Sequence, residues 1–154
     1  MQEAVEGYRA MQLGSELFDD AAAEILGINR TDMRAMDVLQ RRGPMTAGAL
    51  AEEIRLSRPA TTTVLDRLER IGYIRRTSDP EDRRRVLAEL TPLAFERSME
   101  IWGGYFDFAE REAGRYTVED LEALRRFAQR GIEENARQIR RLERILAERP
   151  GRGA

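Results

Sequence analysis

Residues 72–92 read GYIRRTSDPEDRRRVLAELTP, and the pattern of this segment is the strongest indication of the fold class. The segment 73–77 predicts a short strand, and DPED at 79–82 consists of residues that favour a turn. Beyond the turn, 86–90 shows the alternation of a half-buried strand. The stretch therefore predicts a β-hairpin whose second arm carries three consecutive arginines at or just after the turn.

The sequence before residue 46 predicts two helices. Apolar residues at three- and four-residue spacing run from about residue 4 to residue 26, and Gly27 ends this first helix. Asn29 is a capping residue with Asp32 three positions on, which is the pattern of a capping box. The second helix therefore begins after Asn29 and stops at Gly43.

Two shorter helices follow across a tight turn and predict a helix-turn-helix. Thr46 caps the first of them, and Ser57 caps the second, which runs to Gly72. The inner stripe of this second helix is Thr61, Val64, Leu65 and Leu68. Its outward face then carries Arg58, Pro59, Thr62, Thr63, Asp66 and Arg70. Taken alone, such a face is typical of a solvated helix, but the arginine-rich hairpin beside it favours a binding surface.

Two long helices follow the hairpin. Thr-Pro at 91–92 begins the first, and Thr117 with Asp120 three residues on caps the last. On the last helix, apolar residues keep three- and four-residue spacing from residue 121 to residue 146. A helix this long has too little domain beside it to cover that stripe, so a second subunit is the simplest cover. The alternative is an intramolecular bundle with the first helix.

Composition narrows the function. The chain contains no cysteine and no histidine, so thiol chemistry and the side chain most used for proton transfer and metal binding near neutral pH are absent. We expect neither an enzyme nor a cofactor nor a metal site, because no spacing of the remaining polar residues converges on such a site. No apolar run approaches the roughly 18 residues of a membrane span, so we expect a cytoplasmic protein with no membrane partner.

Charge is distributed unevenly behind a formal net charge of −2. Between residues 55 and 85 nine arginines accompany five acidic residues, whereas the rest of the chain carries 17 arginines and 23 acidic residues. Exposed charges farther apart than a Debye length, about 8 to 10 Å, are largely screened. The basic middle can therefore bind phosphate whatever the total charge. An acidic protein partner is the alternative, in which the chain is a helical interaction protein.

The segments 72–76 and 79–92 closely resemble the wing signature of MarR-type transcriptional regulators. LAEEI at 50–54 and DRLE at 66–69 resemble neighbouring parts of the same family, and the resemblance spans 28–91. It implies a mainly α fold with a small β-hairpin wing, which is a winged helix-turn-helix framed by long N- and C-terminal dimerisation helices.

The resemblance also implies an organisation and a function. We expect one domain over residues 1–154, with 29–91 as the DNA-binding part and 4–26 and 92–148 as dimerisation helices. The function implied is a sequence-specific, homodimeric repressor of transcription that reads a palindromic operator in double-stranded DNA. Each recognition helix would lie in a major groove, and each wing at a minor groove.

Residue chemistry supports particular DNA contacts. Threonine hydroxyls and methyls can meet base edges, and Arg58 can bind guanine through its fork of donors. Arg84 is the residue that we expect to enter a narrow minor groove, whose negative potential attracts guanidinium groups, while Asp79 and Asp82 support the arm. The predicted DNA contacts are Ser57, Arg58, Pro59, Thr62, Thr63, Arg67, Arg70, Arg75, Arg83, Arg84 and Arg85.

Aromatic and methionine residues predict a second site. The family resemblance implies a small aromatic or phenolic effector that releases the repressor from DNA. The predicted lining is Met11, Phe18, Met33, Met36, Trp102 and Phe106. The alternative is that this apolar set is simply core.

Overall fold

The computed structural model describes residues 2–148. Within them the chain forms six helices and three short strands, and it divides after Gly103 into two compact units. The elements in chain order are α1 (Gln2–Leu26), α2 (Arg30–Arg42), β1 (Met45–Thr46), α3 (Ala47–Ile54), α4 (Arg58–Ile71), β2 (Ile74–Ser78), β3 (Val86–Leu90), α5 (Pro92–Ala113) and α6 (Val118–Glu148). The mainly α fold with a small hairpin wing is therefore confirmed, with α3 and α4 as the helix-turn-helix.

Side-chain caps begin α2, α3 and α4 at the predicted residues. Asn29 Oδ1 accepts hydrogen bonds from the backbone N–H groups of Thr31 and Asp32, both at 2.9 Å, and the Asp32 carboxylate accepts one from Asn29 N–H at 3.2 Å. Thr46 and Ser57 cap α3 and α4 through their hydroxyl oxygens. These oxygens satisfy N–H groups that the first turn of a helix leaves unpaired.

The C-terminal helices also begin at their predicted caps. The Thr91 hydroxyl oxygen accepts a hydrogen bond from Ala94 N–H at 3.3 Å, and Thr117 and Asp120 form a reciprocal capping box before α6. The hydrogen bond that the Thr117 hydroxyl donates to Asp120 lowers the pKa of this carboxyl. Asp120 therefore stays ionised at the positive end of the α6 dipole.

The three strands form one antiparallel sheet in the order β1, β3, β2. Ile74 pairs with Leu90 and Ser78 with Val86, while Met45 of β1 pairs with Ala88. The sequence did not predict β1, because two residues carry no alternation. β2 begins one residue later than predicted, since Tyr73 N–H donates to the Leu68 carbonyl and still belongs to the end of α4.

One hydrophobic core lies beneath the helix-turn-helix. It is built by α2, α3, α4, β2, β3 and the first turn of α5, together with Leu26 at the end of α1. All four predicted inner residues of α4 are buried. The Tyr73 hydroxyl donates a hydrogen bond to the Leu26 carbonyl at 3.1 Å. The core therefore fixes α4 against α2 and the base of the hairpin.

The terminal helices leave most of their apolar side chains exposed. On α1, the apolar residues Val5, Tyr8, Met11 and Ile25 are exposed. Only the last turns of this helix reach the core, through Ala22, Ala23 and Leu26. None of the residues of α6, all of which lie in the described part of the chain, is buried.

Candidate nucleic-acid interface

The outward face of α4 consists of small and basic side chains. Arg58, Pro59, Thr62, Thr63 and Arg70 are all exposed, as the buried stripe on the opposite side predicts. Pro59 lies in the first turn, where its missing N–H group costs nothing. Apart from Arg58, the outward side chains in the N-terminal half of α4 are the small Pro59, Thr62 and Thr63, so the helix can approach a groove closely.

Local hydrogen bonds fix what the two threonines present to a partner. The Thr62 hydroxyl donates to the Arg58 carbonyl at 3.0 Å, and the Thr63 hydroxyl donates to the Pro59 carbonyl at 3.2 Å. Each hydroxyl hydrogen is therefore engaged within the helix. The groups left for a partner are the oxygen lone pairs and the methyl groups.

Arg58 lies close to the first turn of α3. A Cβ built on Gly48 would stand 4.0 Å from both Nε and Nη2 of Arg58. Between the two helices, Arg55 adopts the left-handed conformation (φ 56°, ψ 49°) that lets α3 end and the chain turn into α4. The turn thus brings the N-termini of α3 and α4 to one surface.

The loop between β2 and β3 is held by the two acidic residues predicted to support it. The Asp79 carboxylate is almost fully buried, accepts a hydrogen bond from Glu81 N–H at 2.9 Å and lies 3.5 Å from Arg85 Nη1. Asp82 Oδ1 accepts a hydrogen bond from Arg84 N–H at 3.0 Å. The carboxylates hold the backbone of the arm and leave the Arg84 side chain exposed, as is that of Arg83.

Arg67 lies in an internal ion pair. Its Nε is 2.7 Å from Asp32 Oδ2 and its Nη2 is 2.5 Å from Asp32 Oδ1, and the Asp32 side chain is fully buried. The hydrogen bond to Asp32 raises the pKa of Arg67. No local pattern predicts this pair, because its partners are 35 residues apart and Asp32 also matches a capping box.

Two arginines of β2 pair with acidic neighbours. Arg75 Nε lies 2.6 Å from Glu89 Oε1, its directly opposite partner on β3. Arg76 pairs with Asp66 at 2.6 Å and also with Glu69, so it joins the wing strand to α4, and the hydrogen bond to Asp66 raises the pKa of Arg76. Arg75 stays well exposed and Arg76 only partly so.

The structure brings together only some of the residues predicted to line an effector pocket. The rings of Phe18 and Trp102 meet edge to face, with centroids 5.9 Å apart and planes at 68°. Met36 belongs to the core and Met33 is half-buried. The other two, Met11 and Phe106, are exposed, and Phe106 lies in the second unit.

Residues 2–148 contain neither a candidate membrane span nor a candidate metal site. No helix there is both long and apolar enough to pass through a bilayer. The same residues hold no cluster of three or more side chains able to bind a metal ion.

These elements define a winged helix-turn-helix protein. A family model described as the MarR family matches residues 28–86. The chain is also 33% identical over 140 residues, 91% of each sequence, to YcgE of Bacillus subtilis (strain 168), an uncharacterized HTH-type transcriptional regulator. A shorter match, 37% identity over 65 residues and 42% of each sequence, is to the HTH-type regulator YkoM of the same organism. The chain therefore belongs to the MarR family of transcriptional regulators.

Solved structures share its fold. A MarR-like transcriptional regulator from Thermotoga maritima superposes with a TM-score of 0.63 at 24% identity, over 86% of this chain and 96% of that chain. A mutant of MepR from S. aureus, solved bound to an oligodeoxyribonucleotide, gives a TM-score of 0.58 at 20% identity, over 85% and 96% of the two chains. At these identities the likeness concerns the fold.

Proposed function

We propose that the protein is a homodimeric repressor that binds a palindromic operator in double-stranded DNA and blocks transcription by occupying a promoter. One observation carries the proposal: the exposed, small-residue face of α4 and the exposed arginines of the wing belong to the same compact unit. An α-helix fits the major groove of B-DNA, and guanidinium groups are drawn to a narrow minor groove. The MepR structure, with its bound oligodeoxyribonucleotide, supports this use of the fold.

The proposed DNA contacts are of two kinds, those that recognise base edges and those that anchor the protein to the duplex. We assign Arg58, Thr62 and Thr63, at the N-terminal end of α4, to base edges. Arg84 enters the minor groove in this proposal, and the exposed Arg83 accompanies it. The other anchoring contacts, to phosphates, are Ser57, Arg70, Arg75 and Arg85, whereas Pro59 has no N–H group to donate and would contact DNA through its apolar ring alone. We remove Arg67 from direct contact, because Asp32 engages two nitrogens of its guanidinium group.

The uncovered apolar surface of the terminal helices supports a dimer. On α6 the side chains of Leu124, Leu142 and Leu146 are 64%, 55% and 65% exposed. Contiguous exposed apolar surface of this kind marks interaction sites in soluble proteins. A second copy of the chain would cover it and would also supply the second recognition helix that a palindrome requires.

A small aromatic effector is the finer part of the proposal. The half-buried Phe18 and Trp102 offer ring edges and faces on which another ring can stack. Trp102 is the single tryptophan of the chain, so its fluorescence reports on this place alone. Small phenols should quench or shift that emission at concentrations that also release DNA. Release of DNA without any change in Trp102 emission would contradict an effector site at this place.

We propose a cytoplasmic location for the protein, since operator binding needs access to DNA.

The test of DNA binding is selection of bound sequences from a random duplex pool. We expect enrichment of a two-fold symmetric site with half-sites about 10 base pairs apart, the spacing of one helical turn. A pool that shows no enrichment, or an enriched site without symmetry, would contradict the proposal. The same experiment with an acidic protein as competitor separates DNA binding from the acidic-partner alternative.

A further inference from the structure

The buried Asp32 carboxylate of α2 connects this helix to α4 through hydrogen bonds. It accepts the Asn29 N–H hydrogen bond of the α2 cap and two hydrogen bonds from the Arg67 guanidinium on α4. Asp32 is fully buried, whereas a third of the Arg67 side chain remains exposed. Three donors therefore converge on one enclosed carboxylate. Because the arginine pair is bidentate, it fixes the orientation of the guanidinium group relative to Asp32 as well as the distance between them.

Because Arg67 lies on α4, its ion pair with Asp32 can control the orientation of the α4 face that we propose contacts bases. Arg67 lies four residues after Thr63 and three before Arg70, so it borders the outward face on one side. Asp66, which lies on that face, and Glu69, at its other edge, pair with Arg76 of β2. The recognition helix is therefore held by ion pairs from α2 and from the wing strand, and these oppose rotation of α4 about its own axis.

We infer that the Asp32–Arg67 ion pair positions the recognition helix, so that Arg67 governs operator affinity without touching DNA. Rotation of α4 by a few degrees moves base-reading side chains out of hydrogen-bond range, while phosphate attraction, which is less directional, survives. The inference rests on the proposed function. It makes Arg67 a positioning residue and distinguishes it from the exposed arginines of the same helix.

A matched pair of variants in the full-length chain tests the inference. Arg67→Gln and Arg70→Gln make the same chemical change three residues apart on α4. After circular dichroism and thermal unfolding establish that each variant is folded, affinity is measured for the selected operator and for a scrambled duplex across a range of salt concentrations.

The two variants should behave differently. For Arg67→Gln we expect operator affinity to fall about 5- to 100-fold, the range for loss of a specific base contact, with scrambled-duplex affinity within about twofold of wild type and an unchanged salt slope. For Arg70→Gln we expect weaker binding to both duplexes and a log-log salt slope smaller by about 0.9, as for one lost phosphate contact. An Arg67→Gln protein that matches Arg70→Gln in both respects would overturn the inference.

Two further variants keep the test decisive if Arg67→Gln does not fold. Arg67→Lys preserves a point charge that suffices for a phosphate but loses the bidentate fork, so operator affinity should still fall. Asp32→Asn removes a negative charge and should tighten DNA binding by charge alone, yet the inference predicts weaker operator binding. Wild-type affinity in Arg67→Lys, or tighter binding by Asp32→Asn, would overturn it. If wild-type protein prefers no duplex, the proposed function itself fails, which is a different result from either.

Discussion

Thr62 and Thr63 present an acceptor and a methyl group because their hydroxyl hydrogens are bonded to carbonyl groups one turn back. In the major groove, an acceptor meets the amino groups of adenine and cytosine, and a methyl group meets the methyl of thymine. The local geometry of α4 thus limits which bases each threonine can favour.

Replacing the Thr62 oxygen tests whether its acceptor contributes to base recognition. Thr62→Val keeps the shape and the γ-methyl group but removes the acceptor, so discrimination at one operator position should fall by about 0.5 to 1.5 kcal/mol, the net contribution of one hydrogen bond. Duplex selection with the variant should show that position relaxed toward thymine and the others unchanged. An identical base preference in the variant and in wild type would show that Thr62 does not read a base.

Asp82 provides a second residue-level test, in which charge and structure oppose each other. Removing an acid near DNA should strengthen binding, but Asp82 Oδ1 holds the backbone of Arg84. We therefore expect Asp82→Ala to weaken binding about three- to tenfold, as for the loss of one hydrogen bond of about 1 kcal/mol. Glu81→Ala, which removes an adjacent exposed acid, is the control and should bind at least as tightly as wild type. Tighter binding by Asp82→Ala would show that the arm needs no such support.

At the scale of the elements, glycine has opposite roles at the ends and in the middle of helices. Gly72 ends α4 with a φ of 90°, and a Cβ there would stand 3.6 Å from Leu93 Cδ2. Gly72→Ala should therefore lower the free energy of unfolding by about 1 kcal/mol or more. Gly103→Ala, within α5 and in open space, should raise it by about 0.5 to 1 kcal/mol. Thermal and urea unfolding of both variants measures the two changes in the free energy of unfolding. Changes of the same sign in both variants would contradict these opposite roles of glycine.

The elements that could be predicted from the sequence are those specified locally. Asn29, Ser57 and Thr117 cap their helices through atoms two or three residues away, so short patterns suffice to find them. β1 could not be found, because its two residues become a strand only by pairing with β3. Likewise, the pairing of Asp32 with Arg67 depends on how α2 and α4 pack, which no local pattern specifies.

The proposed DNA contacts show the same division. The sequence identified the exposed face of α4, because the buried stripe at helical spacing determines it. It also identified the acids that hold the wing loop, because they lie within a few residues of their partners. It also predicts a DNA contact at Arg67, because the neighbouring sequence does not distinguish an arginine in a long-range ion pair from one that faces solvent. A third of this side chain is exposed in the structure.

At the scale of the whole molecule, the proposed dimer depends on the exposed apolar stripe of α6. Leu142→Asp would place a charge in an apolar dimer interface, which costs several kcal/mol, and should yield a 17.7 kDa monomer that no longer binds the operator tightly. Arg144→Asp puts the same side chain two positions on, facing away from the stripe, and should remain a dimer. Sedimentation velocity at micromolar concentration distinguishes the two. A wild-type protein that sediments as a monomer under these conditions would refute the dimer.

Binding to operators whose half-sites are moved apart tests whether one dimer reads both of them. We propose that two recognition helices of one dimer read two half-sites on the same side of the duplex, about 10 base pairs apart. Sedimentation of the complex should then show two chains per duplex, and inserting about five base pairs, half a helical turn, between the half-sites should reduce binding to that of a single half-site. One chain per duplex, with an affinity that the insertion leaves unchanged, would contradict the account.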